Sequence, residues 1–334
     1  MSEKLANITP EKQGFAEKIP RELARKIFEQ KETAKSNFWG LEEWKEFYDI
    51  RLSAEQLEKV KDFPWGEDVL TAPDPFTPKN EQGEPLEIRD THVAVLMLDK
   101  IDGDITRMVN GKTEALSVFN EPLTIMELSK INPYYEGDLR SGEPKFSQAD
   151  PSQSFRGENF SKEVAPSFRW YLMRKEGAMT PPQDNKGRLN FNEWYDQLAL
   201  LSHVSAKKIR EQYEDICERV DFKKFKNQEE EMDFYRLEEK KFLEELLKNS
   251  EYEIAAAVEE AAKMMLFFKK DDLLFNQDAP VRCKDTTVLV AASIAGRVSL
   301  TNRKNGLLIQ DYTENTGGNG YGMMRLAVSR KISR

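Results

Sequence analysis

Eleven of the chain's fifteen prolines fall between Pro73 and Pro182, and that crowding sets the plan of the fold. Proline lacks the backbone donor a helix needs and clashes with the preceding turn, so residues 67–190 cannot carry long helices. The flanking sections are proline-poor and carry apolar residues at three- and four-residue steps. The expected class is therefore α+β. A helical section spans 1–62 and an α+β domain spans 63–334. Within that domain lie a helical insertion at 190–249 and a strand-rich region at 279–334.

Local signals fill in this plan. Pro20 opens the helical pattern RELARKIFEQKETAKS, with Leu23, Ile27 and Phe28 on one face. Gly40 separates it from LEEWKEFYDI, and Ser53 with Gln56 forms a capping-box pattern before AEQLEKVKD. In the proline-rich section THVAVLMLDK (91–100) predicts a buried strand, Asp102-Gly103 a hairpin turn, and FRWYLM (168–173) a second strand. PLTIMELSKINP (122–133) predicts a short helix, and 137–163 a long loop. The 190–249 section carries Trp194, Leu198, Leu201, Ile209, Tyr213, Phe242 and Leu246 without a sustained heptad. That predicts a helical hairpin, and such a charged arm also offers a surface for oligomerisation. YEIAAAVEEAAKMMLFFKK (252–270) predicts a core helix. Strands are expected over 286–293, 297–300, 306–312 and 321–329, separated by the polar turns TNRKN and TENTGGN.

Charge separates the last region from the rest. The chain has 59 acidic and 50 basic residues. From Ala279 to Arg334, however, nine Lys/Arg face three Asp/Glu, so this end carries +6 and the preceding 278 residues −15. Basic residues flanking short strands protect sheet edges. They also make a surface for an anionic partner, nucleic acid included. No apolar run approaches the roughly 20 residues of a membrane helix, so no membrane insertion is expected. MSEKLANITPEKQGF lacks the apolar core of a signal peptide, which makes cytoplasmic synthesis the default expectation.

Catalytic and metal chemistry find little purchase. Cys217 and Cys283 make neither a disulfide framework nor a paired zinc motif. His92 and His203 have no His or Cys at metal spacing and read as core or surface histidines. Asp99, Asp102 and Asp104 miss the glycine and terminal carboxylate of a calcium loop. GGNGYG (317–322) leads into a strand pattern rather than the helix a phosphate loop requires. No cofactor is expected, and these counts argue against an enzyme.

The polar residues of the C-terminal region are the most informative. By the two-residue strand period, Val298 and Leu300 face inward and Ser299 and Thr301 outward. Together with Asn302, Arg303, Asn305, Gln310, Tyr312, Glu314, Asn315, Asn319 and Tyr321, they make a surface of adaptable hydrogen bonders and aromatic contacts, the chemistry of a paratope. An ordinary sheet with Asn/Gly turns satisfies the same letters.

Arg297-Val298, Gly306-Leu307, Gly322 and the terminal Ala327-x-Ser329-Arg330-Lys331 resemble the C-terminus of variable proteins from diversity-generating retroelements. FPWGEDVLTAPDPF (63–76), THVAVLMLDK and FRWYLM also look like segments of bacterial and phage-associated chains with such tails. The resemblance implies a C-type-lectin-like C-terminal module rewritten at adenine-rich codons such as those of Asn. It further implies a non-enzymatic ligand-display function toward an unknown protein or surface ligand. The alternative expectation is a phage or mobile-element structural or assembly protein that works through its long charged helices.

Overall fold

The computed structural model describes residues 18–29, 37–109, 112–130, 146–148, 163–178, 193–218, 225, 228–271, 273–276, 281–287, 296–303, 306–312 and 325–332. Helices and sheets both contribute, in an α+β arrangement. Among the described residues no helix is long and apolar enough to cross a membrane.

The central sheet is built from strands far apart in sequence. Beside a small ribbon of β1 (Ile19–Pro20) and β3 (Asp62–Phe63), its order is β2 (Phe38–Trp39), β4 (His92–Met97), β8 (Arg169–Arg174), β14 (Val328–Arg330) and β9 (Tyr252–Ile254). β2 runs parallel to β4, and the remaining pairs are antiparallel. Both faces are covered, which is why THVAVLM reads as a continuous apolar run and all six residues of β4 are buried. Val93, Val95, Met97, Tyr171 and Met173 pack with the helix Ala257–Asp271. Ala94, Leu96, Trp170 and Leu172 pack against Ala24, Ile27 and Phe28 of the helix Arg21–Glu29. The described residues before position 62 therefore share a core with the central sheet. Trp44 ties them in by donating its Nε1 hydrogen to the Leu96 carbonyl at 2.7 Å, and Trp170 donates to Val60 O at 3.1 Å.

A second sheet has the order β13 (Arg325–Leu326), β10 (Val281–Thr287), β11 (Gly296–Arg303), β12 (Gly306–Tyr312) and β7 (Phe146–Gln148). The C-terminal segment joins the two sheets: Arg325–Leu326 pairs with β10, and two residues later Val328–Arg330 lies between β8 and β9. This crossing buries four consecutive residues, Leu326, Ala327, Val328 and Ser329, so the segment expected as one strand over 321–329 does not alternate between a buried and an exposed face. Met324 lies outside the described residues.

Several sequence expectations move. Tyr252–Ile254 is a strand, and the core helix begins at Ala257, because β14 offers this segment backbone partners that local apolar spacing does not announce. The strand expected at 286–293 begins at Val281, and residues 288–295 lie outside the described set. Asp102-Gly103 is not a turn. It lies in β5 (Lys100–Val109), which pairs with β6 (Lys112–Pro122) as a separate two-stranded ribbon. There Asp102 alone opposes residues 119 and 120, with Asn120 at φ 52°, so the β-bulge lies in the partner strand across from the polar step. The pairing of Val109 with Lys112 leaves a two-residue connection, and the sequence there is Asn110-Gly111. The Ser53 capping box forms as expected, with Gln56 N–H donating to Ser53 Oγ at 3.2 Å and Ser53 N–H to Gln56 Oε1 at 2.9 Å.

Among its described residues the insertion forms the helices Glu193–Ser202, Ala206–Glu218 and Gln228–Leu246. Tyr195, Leu198, Leu201, Ile209 and Leu247 pack against Tyr252, Ile254, Leu326 and Val328. His203 ends the first of these helices in the left-handed conformation at φ 58°, where its N–H donates to Ala199 O at 3.0 Å.

Candidate functional site

The polar residues singled out in the C-terminal region fall mainly on the β11–β12 hairpin. Its register pairs Arg297 with Tyr312, Ser299 with Gln310, Thr301 with Leu308, and Arg303 with Gly306. Directly opposed residues share a face, so 297, 299, 301 and 303 form one surface with 306, 308, 310 and 312. Asn302 pairs with Leu307 and shares the opposite face with Val298 and Leu300. The strand continues through Arg303, where the sequence suggested a turn from Thr301. Asn305, Glu314, Asn315, Asn319 and Tyr321 lie outside the described residues.

The two ends of this region are seated in the core. On the entry side Val281 and Cys283 are fully buried; on the exit side Leu326, Ala327 and Val328 are too. Within β10 the register shifts between Arg282 and Thr286. In that irregular stretch Lys284 N–H donates to Ala255 O at 3.0 Å, and Asp285 accepts from Ala257 N–H at 2.5 Å. Asp285 thus sits at the N-terminus of the core helix, where an anion complements the helix dipole. Burial still raises its pKa, against the lowering effect of the Ala257 N–H. One turn into the same helix, Glu259 accepts from Ala256 N–H at 2.7 Å and from the Tyr171 hydroxyl at 2.9 Å.

Beneath the exit strand runs a chain of polar groups that no local motif reveals. Arg325 pairs with Glu176, whose carboxylate oxygens accept from Asn276 N–H at 3.1 Å. The Asn276 side chain accepts from Gly177 N–H at 2.9 Å and donates to Glu260 at 2.9 Å. Glu260 is paired with Lys263 at 2.5 Å, both fully buried. Lys263 also donates to the carbonyls of Arg174 and Lys175, at 2.7 and 3.2 Å. Arg174 in turn donates to Asp74 at 3.0 Å, to Thr77 at 2.6 Å, and to the Glu176 and Gly177 carbonyls. Burial raises the Glu260 pKa and lowers that of Lys263, each opposed by the other's charge. Cys283, beside this pair, has its thiol pushed well up by burial. Most of their hydrogen bonds are made inside the fold, where these groups hold strands in place. Glu260 Oε2 and the Nε atoms of Arg174 and Arg325 are buried without a hydrogen-bond partner, and Glu176 reaches the surface.

The same accounting applies to the basic end of the chain. Arg325 pairs with Glu176 and Arg330 with Glu251 at 3.2 Å, Lys331 donates to Leu247 O, and Arg282 is buried. Four of the nine cations counted in the sequence thus have structural partners or burial, which reduces the charge free to attract nucleic acid. His92 is fully buried, with its Nδ1 2.9 Å from Thr91 Oγ1 and its Nε2 3.4 Å from Tyr252 Oη. Burial, reinforced by Arg174 and Arg330, lowers its pKa well below the ordinary value.

Compared with family models, curated proteins and solved structures, the chain matches none.

Proposed function

We propose that this protein is a non-enzymatic ligand-display protein, related to the variable proteins of diversity-generating retroelements, whose C-terminal region presents a polar face on a C-type-lectin-like scaffold. The observation that carries the reading is the β11–β12 register, which gathers Arg297, Ser299, Thr301, Arg303, Gln310 and Tyr312 on one face of a hairpin. Buried strand residues before and after it support the same reading, because a display surface must vary without disturbing its anchors. Its partner is a protein or a surface ligand, met by hydrogen-bonding side chains and a tyrosine ring.

Randomising Ser299, Thr301, Gln310 and Tyr312 together tests this directly. Most variants are expected to unfold cooperatively within about 2 °C of the parent, as substitutions away from packed positions do. A selection from that library against a probe such as lysozyme is expected to return binders. Loss of cooperative unfolding in most variants, or no binders from a well-folded library, refutes the display role. The retroelement part has its own test in the surrounding DNA. An imperfect copy of the stretch encoding about 297–331, differing chiefly at adenines and beside a reverse transcriptase gene, is the expected finding; its absence removes diversification from the reading.

A further inference from the structure

Lys269, in the last turn of the core helix Ala257–Asp271, is half-buried, and among the described residues no carboxylate pairs with it. Its Nζ lies 4.0 Å from the ring centre of Tyr48 and 5.8 Å from that of Phe47, the last two residues of the helix Leu41–Tyr48. The amine donates to the Phe47 carbonyl over a long 3.4 Å. Tryptophans hold these rings: Trp39 stacks on Phe47 at 5.4 Å, and Trp39 and Trp44 lie 6.5 and 5.5 Å from Tyr48. Nearby cations are arranged differently. Lys270 pairs with Glu43 at 2.8 Å and donates to the Phe38 carbonyl, and Lys263 pairs with Glu260.

This aromatic seat favours an uncharged amine. Ring faces attract an ammonium, yet burial costs the charged form more, so the Lys269 pKa is lowered with no opposing charge to restore it. The Tyr48 hydroxyl is itself buried and has its pKa raised, so it supplies no negative charge. An uncharged amine still has N–H groups to donate to the Phe47 carbonyl. Burial lowers the pKa of Lys263 and Lys331 as well, but both are otherwise engaged. Lys263 is fully buried within its ion pair, and Lys331 donates to Leu247 O under the opposing influence of Glu253. We propose that Lys269 is a modification site, an amine nucleophile toward activated acyl groups such as acyl phosphates. Its lone pair attacks the acyl carbon, and the C–N bond forms as the C–O bond to phosphate breaks. Phosphate leaves with the electron pair, and the surplus proton on nitrogen passes to water. The amide product is uncharged, keeps an N–H for the Phe47 carbonyl, and has apolar carbons suited to the Phe47 and Tyr48 rings. This reactivity stands independently of any ligand-display role.

Timed acetylation of the folded full chain with acetyl phosphate, read lysine by lysine by peptide mass spectrometry, tests it. Lys269 is expected to be acetylated at least threefold faster than the median lysine of the chain. In concentrated urea, where the aromatic seat is lost, its rate should fall to that median. A smaller advantage in the folded chain, or one that persists in urea, overturns the proposal.

Discussion

His92 shows how a single side chain can set a pH limit on the whole fold. It is fully buried in β4, and burial with two nearby guanidinium groups lowers its pKa well below the ordinary histidine value. The unfolded chain binds a proton near pH 6.5 that the native state refuses, so stability is lost as pH falls below that point. The expected slope approaches about 1.4 kcal/mol per pH unit for one proton. Urea unfolding at pH 7.0 and 5.5 should show this loss in the parent and a smaller one in His92→Phe. Equal losses in both would assign the acid sensitivity to carboxylates instead. The burial of His92 was legible in its apolar strand. Its guanidinium neighbours were not, because Arg174 and Arg330 lie 82 and 238 positions further along the chain.

At the scale of elements, the sequence was legible where the cause is local. Ser53 and Gln56 are three residues apart and form their cap as read. The 306–312 strand keeps the bounds its apolar pattern indicated. It misled where a distant partner decides. Asp102-Gly103 stays in a strand, and the irregularity falls at residues 119 and 120 opposite it; Tyr252–Ile254 becomes a strand only because β14 returns to pair with it. Gly177 is another position set from afar. A Cβ there would meet Arg325 Cβ at 2.7 Å and the Leu326 carbonyl at 3.0 Å. The exit strand cannot yield freely, because Leu326 and Ala178 exchange two backbone hydrogen bonds of 2.8 Å. Gly177→Ala is therefore expected to cost about 1–3 kcal/mol, the range for overpacking a filled site. Hydrogen exchange should locate the loss at the Ala178 and Leu326 amides. An unchanged melting temperature would mean that the strands separate without penalty.

For the molecule as a whole, the order of assembly follows from which segments the two sheets share. Only Arg325–Leu326 and Val328–Arg330 belong to both sheets in one short run, and they arrive last in the described chain. Their residues are buried, and β14 is an interior strand with backbone partners on both sides. Without them β8 and β9 lose their common neighbour, and Glu176 and Glu251 lose Arg325 and Arg330. A chain ending at residue 324 is thus expected to keep much of its helix signal while losing fixed packing. That predicts little change in far-UV circular dichroism, a collapsed near-UV spectrum, and a broad thermal transition with dye-binding apolar surface. Sharp, parent-like unfolding of the truncated chain would show that each sheet is stable alone. The polar hairpin depends on the same segment: it follows β10 and precedes β13, and these two strands pair with each other at the buried edge of its sheet, so its own face can vary only while that final segment stays in place.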